Sequence, residues 1–188
     1  MTSMGRARRW VEIVNETGEF RGASPVEEAH GAPGRLHRAF SVLLYDATFQ
    51  VLVQRRADDK SRFPGLWANS CCSHPGPGED LEESARRRVR SELGMNVGRL
   101  SEAGTFTYRA TDPVTGSVEH EYDHVLVGRA AGEPHVDPAE VAEWRWRDPE
   151  WLRADLRTRP AAYAPWFAAV LDIAEAAPPA PEGGGEPA

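Results

Sequence analysis

The chain has 188 residues, 40% of them hydrophobic and 27% charged, with a formal net charge of −7. That length suits one domain with a sizeable core and is short for two. The acidic balance argues against sequence-independent nucleic-acid binding, which relies on basic surface. No apolar run approaches the roughly 20 residues of a membrane span, and residues 1–9 lack the apolar stretch of a secretory signal. A cytoplasmic protein with no membrane partner is expected, a monomer by preference. The two cysteines, Cys71 and Cys72, are neighbours and cannot staple distant segments. Arginine occurs 21 times and lysine once, at Lys60.

In chain order, residues 1–9 read as a disordered start. The strand signals begin with 36–45 and a hairpin partner over 50–56, joined across Asp46-Ala47-Thr48. A loop rich in turn formers follows over 58–78. Asp80-Leu81-Glu82-Glu83 forms a capping box, and Leu81, Ala85, Val89 and Leu93 recur at four-residue steps, so a helix is predicted up to Gly94. Further strands are predicted over 100–108, 118–127 and 143–146, and helices over 149–156 and 161–174. Residues 177–188 are a Pro/Gly/Glu tail with nothing to bury, expected to be disordered. One ordered domain over 10–176 is therefore expected, in the α/β class, with a mixed sheet covered on both faces.

Several side chains are suited to chemistry. His30, His37 and His74 with Glu119 and Glu121 are the ligand types that hold a borderline divalent ion. Glu119 and Glu121 face the same way if they lie on a strand. Ser84, Arg88 and Glu92 share one helix face away from the apolar stripe, where a solvated charged surface is the ordinary reading. Arg88 could instead meet a phosphate and Glu92 a magnesium ion. Arg55, Arg56 and Lys60 add positive charge upstream.

The stretch from Glu79 to Gly94 resembles a Nudix box, the metal-binding helix motif of diphosphate hydrolases. It is degenerate: Ser73 stands at the opening Gly, Glu79 and Arg87 fit, Arg88 and Ser91 replace carboxylates, and Glu92 alone remains. With that loss come Leu36-His37-Arg38-Ala39-Phe40-Ser41, Arg55-Arg56, Pro64-Gly65-Leu66-Trp67 and Asn69-Ser70-Cys71-Cys72-Ser73-His74-Pro75. Further on lie Tyr108-Arg109-Ala110-Thr111-Asp112-Pro113, Glu119-His120-Glu121 and Ala164-Pro165-Trp166. Together these resemble the type 1 isopentenyl-diphosphate isomerases.

The resemblance implies a Nudix-type α/β/α sandwich and an enzyme of isoprenoid biosynthesis acting on a small-molecule diphosphate. It implies a first divalent ion, Mn²⁺ or another, on His30, His37, His74, Glu119 and Glu121. It implies a Mg²⁺ held by Glu92 and the backbone carbonyl of Cys72, bridging to the substrate diphosphate. Arg56, Lys60 and Arg88 would contact that diphosphate. Cys72 would be the catalytic cysteine and Glu121 the acid, with Tyr108 as its hydrogen-bonded companion and Trp166 facing a developing cation. Cys71 would be core filler. Such chemistry calls for a dry apolar slot and for a thiol whose pKa nearby positive charge lowers. The family often has a lysine where this chain has Val26, so one phosphate contact is expected to be absent or supplied by another residue such as Arg35. His120, His124 and His135 have no assigned role and are expected on the surface. The competing readings are a Nudix hydrolase of nucleoside diphosphate derivatives, which the eroded box and Cys72 disfavour, and a catalytically dead binding module.

Overall fold

In the computed structural model, which describes residues 9–180, the strand β3 (His37–Tyr45) is the spine of the sheet. The remaining residues of the two expected tails, 1–8 and 181–188, lie outside the described residues. Before the spine come β1 (Trp10–Val14), β2 (Phe20–Pro25) and the five-residue helix α1 (Val26–His30). None of the three is anticipated from the sequence. They are short, and α1 has no side-chain cap to announce it. Val11, Ile13, Val26 and Ala29 make a small core of their own that seats α1 against the two strands.

After β3 follow β4 (Val51–Arg56), β5 (Trp67–Ala68), β6 (Cys71–Ser73) and the helix α2 (Leu81–Leu93). Then come β7 (Leu100–Thr111), β8 (Val118–Arg129) and β9 (Val141–Arg147). The helices α3 (Pro149–Thr158) and α4 (Phe167–Ala176), separated by a 3₁₀ turn, complete the order. β3 runs parallel to β8 over nine residue pairs, from His37 opposite Glu121 to Tyr45 opposite Arg129. β8 in turn pairs with β7 in a long antiparallel hairpin.

The expected hairpin of β3 and β4 forms at its tip only. The two strands pair at Tyr45 and Val51 and then separate, β3 taking β6 as its neighbour and β4 taking β9 and β5. The wedge is made by side chains of the segment read as loop. Ser70 Oγ accepts from Leu44 N at 2.9 Å and donates to Leu52 O at 2.6 Å, so one hydroxyl satisfies both strands where their own ladder stops. Asn69 Nδ2 donates to Val42 O and to Cys71 O.

Both faces of the sheet are covered, as expected. On one, Leu43, Tyr45, Val53, Val125 and Val127 pack against Leu152 of α3 and Phe167, Val170 and Leu171 of α4. On the other, Phe40, Val42, Leu44, Leu52 and Leu126 pack against Ala85, Val89 and Leu93 of α2. The alternation of β3 side chains between two buried layers explains its near-continuous apolar run. The Asp80 carboxylate caps α2 by accepting from Glu83 N at 2.9 Å, and Gly94 ends it at φ 62°. A Cβ there would sit 2.5 Å from His135 O, so glycine is needed for space as well as for conformation.

Candidate active site

The parallel pairing of β3 with β8 sets His37 beside Glu121, and the two-residue period of β8 sends Glu119 and Glu121 to the same face. α1 delivers His30 from one side and the segment after β6 delivers His74 from the other. The ring centroids of His30, His37 and His74 lie 4.5, 4.9 and 5.1 Å apart. One ligand atom from each of the five residues falls within 4.8 Å of all the others. The sequence reading therefore names a set that the fold brings together.

These residues fit a divalent metal ion. His30 Nδ1 lies 2.7 Å from Val26 O and His37 Nδ1 2.7 Å from Arg35 O. With Nδ1 as the donor in each case, the Nε2 lone pair is turned into the cluster. Both Nε2 atoms are buried without a hydrogen-bond partner, as is Glu119 Oε2. Burial lowers the pKa of His74 to about 3, so its imidazole is neutral, the form that binds metals. Burial alone would also lower His37, but the Glu121 carboxylate, 3.5 Å from its Nε2, raises it overall. Burial would raise Glu121, yet His37 and His74 hold it well below the usual carboxylate range.

Glu121 is shared. Oε1 lies 2.8 Å from His74 Nε2, while Oε2 accepts the Tyr108 hydroxyl at 2.6 Å. Burial, then the Glu121 charge, keeps the Tyr108 proton in place by pushing its pKa well up. Tyr108 reaches this point because β7 sets it directly opposite Glu121.

Cys72 of β6 pairs with Ser41 of β3 and lines a cavity of about 340 Å³ together with Tyr108, Glu119, Glu121, His74 and Trp166. Cys71, on the opposite face of the same strand, is wholly buried against the α2 layer. Arg56 Nη1 donates to Cys72 Sγ over 3.8 Å, its other nitrogens holding Phe63 O and Arg62 O. The expected lowering of the thiol pKa does not result. Burial outweighs Arg56 and pushes Cys72 up to about 12, so the resting group is a thiol. Trp166 is fixed by its indole N–H on Asn69 Oδ1 at 3.0 Å and by an edge contact with Phe63.

The cavity departs from the expected apolar slot. Its apolar wall is confined to Trp166, Tyr108 and Ala139, while Arg9, Arg56, Lys60, Arg62 and Arg88 line it with positive charge. Arg62 escaped the sequence reading; its Nε donates to Glu119 Oε1 at 3.0 Å, a contact that only the folded loop creates. Glu140 was missed for the same reason and contacts Lys60 and Arg88. Glu92 stands outside the histidine cluster, buried behind Arg88 and Lys60, with Gln54 Nε2 donating to it at 3.3 Å. Val26 points into the small α1 core and Arg35 is exposed, so neither belongs to the cavity. His135 is exposed as expected, but His120 and His124 are half-buried, beside Gly34 O and Glu102.

Among the described residues, no helix is long and apolar enough to cross a membrane. The NUDIX domain family model matches residues 35–167. The isopentenyl-diphosphate Delta-isomerase of Nocardia farcinica is 58% identical over 167 residues, covering 89% of this chain and 95% of the relative. That of Halorhodospira halophila is 45% identical over 158 residues, covering 84% and 90%. Among solved structures, DR0079 from Deinococcus radiodurans matches with a TM-score of 0.70 at 24% identity, over 88% of this chain and 99% of that one, a likeness of fold. With a NUDIX domain across most of its length and close relatives matched nearly end to end, the chain belongs to the isopentenyl-diphosphate Delta-isomerase family.

Proposed function

We propose that this protein converts isopentenyl diphosphate to dimethylallyl diphosphate, with Glu121 and Tyr108 at one end of the reacting carbons and Cys72 at the other. The observation that carries the reading is that a thiol and a phenol-bonded carboxyl group line one cavity that Arg56, Lys60, Arg62 and Arg88 also line. The cationic wall suits a diphosphate, and the assigned contacts are Arg56, Lys60 and Arg88. The protein is read as a cytoplasmic monomer whose partner is this small molecule.

Isomerisation delivers one proton to the terminal alkene carbon and withdraws one from the allylic carbon. The π electrons bond to the incoming proton, and the electrons of the broken allylic C–H bond form the new double bond. No atom is gained or lost. In this reading the Glu121–Tyr108 pair delivers the proton and Cys72 Sγ accepts the other. Trp166 offers its ring face to the positive charge that develops between them, worth about 2 kcal/mol when desolvated. Arg56 already stacks on that ring, 5.4 Å from its centroid, and orients it. The resting thiol and ionised carboxylate are the arrangement left after a forward turnover. One proton must return from sulfur to the carboxyl side before the next, whereas the reverse reaction begins from this state directly.

We assign Mn²⁺ or another divalent ion to His30, His37, His74, Glu119 and Glu121. Mg²⁺ is assigned to Glu92 and the Cys72 carbonyl, in company with the substrate diphosphate. When bound, the first ion withdraws electron density from Glu121 and stiffens its orientation. Incubation with isopentenyl diphosphate in D₂O tests the whole reading. Deuterated dimethylallyl diphosphate is the expected product. Release of phosphate would identify a hydrolase, and recovery of unchanged, undeuterated substrate would identify a binding module.

A further inference from the structure

The cationic end of the cavity holds an anion of the chain's own. Glu140 lies just before β9, and its Oε2 is 2.5 Å from Lys60 Nζ and 3.0 Å from Arg88 Nη2. Glu92 reaches the same two cations from beneath, 3.8 Å from Lys60 Nζ and ion-paired with Arg88. Two positive groups thus face two carboxylates. The carboxylates differ in freedom: the Glu92 side chain is 1% exposed and that of Glu140 is 23% exposed. The Glu140 main chain is fixed, its carbonyl accepting from Ala57 N at 3.0 Å and its N–H donating to Asp137 O. Any movement therefore belongs to the side chain, at the lip of the cavity that it lines.

Resting on the reading that Lys60 and Arg88 grip the substrate diphosphate, we propose that Glu140 is a resident counter-anion of that grip and makes diphosphate binding conditional on a divalent cation. A bare diphosphate meets this carboxylate as a like charge in a partly desolvated site. A diphosphate that shares its charge with a cation meets far less opposition. Specificity for the metal-bound form then comes from a repulsive element directed against the free anion.

The test is calorimetric titration of the full-length protein with inorganic diphosphate, in magnesium and in EDTA, for the wild type, Glu140→Gln, Glu140→Ala and Lys60→Gln, each checked for its melting temperature. The wild type is expected to bind the magnesium complex well and the free anion weakly. Both Glu140 variants should tighten binding of the free anion by about tenfold and leave the magnesium arm within about twofold, shrinking the magnesium dependence. An unchanged dependence overturns the proposal. Equal weakening in both arms also overturns it, making Glu140 a prop for Lys60 and Arg88, as does weakening in the magnesium arm alone, making it an ion ligand. Wild type that binds no diphosphate, or Lys60→Gln that binds like wild type, would sink the grip itself and the proposal with it.

Discussion

Trp166 donates its indole N–H to the side-chain oxygen of Asn69, 97 residues earlier in the chain, over 3.0 Å. The same Asn69 uses its amide to hold Val42 O and Cys71 O, so one buried side chain fixes the strand that bears Cys72 and the ring that faces it. Replacing Asn69 by alanine leaves a buried indole N–H and carbonyl groups without partners, at a cost of about 1–3 kcal/mol. The expected result is a melting temperature several degrees lower. The turnover number should fall more than tenfold at an unchanged Michaelis constant, because the side chains assigned to the diphosphate are untouched.

The two cysteines should separate cleanly. Cys72→Ala is expected to lower turnover by about three orders of magnitude or more with little change in melting temperature. Cys71→Ala should keep its activity and lose about 1 kcal/mol of stability, since it removes one sulfur from the α2-side core. Wild-type turnover in Cys72→Ala would falsify the assignment of the base.

Labelling of Cys72 by iodoacetamide gives a pH test. With the thiol pushed up to about 12, the thiolate fraction and the labelling rate should still climb about tenfold per pH unit between pH 8 and 10. An ordinary thiol would level off near its pKa of about 8.5. Arg56 works against burial, so Arg56→Gln raises the thiol further and slows labelling at every pH in that range. A plateau below pH 10, read by mass spectrometry, would contradict the burial argument.

The histidine cluster should account for tightly held metal. Protein purified without added metal is expected to carry about one divalent ion, measured by elemental analysis. His37→Gln should weaken retention by about 100-fold, on the scale by which even outer-shell partners tune metal affinity. Full retention in that variant would place the ion elsewhere.

Val26→Lys reverses the simple expectation from the family pattern. The side chain at 26 lies in the small core with Val11, Ile13 and Ala29. A lysine there must bury or expel its ammonium, costing several kcal/mol, so the variant should be less stable and bind diphosphate no better. A lower Michaelis constant at unchanged stability would contradict this.

Much of the site was legible because its residues carry unusual chemistry in a distinctive order. The Asn-Ser-Cys-Cys-Ser-His-Pro segment and the Glu119–Glu121 pair pointed to the cavity's thiol, its phenol-bonded carboxyl group and three of the five clustered His/Glu side chains before any geometry was known. Helix α2 was legible from its cap and its four-residue apolar step. What the sequence hid depends on contacts between distant segments. Arg62 and Glu140 are ordinary loop charges until folding sets them beside Glu119 and Lys60. The parting of β3 from β4 was invisible because hairpin signals report the turn and not how far pairing continues. The thiol pKa was misjudged because proximity to Arg56 can be guessed from a motif, whereas depth of burial cannot.

That parting of strands also governs how the molecule meets electrophiles. Alternation along a three-residue strand sends adjacent sulfurs into separate environments, one sealed beneath a helix and one opening on the cavity. Toward a covalent probe the chain therefore behaves as though it had a single cysteine. A reporter dye or an inhibitor warhead would report on the cavity alone, with no second attachment to subtract.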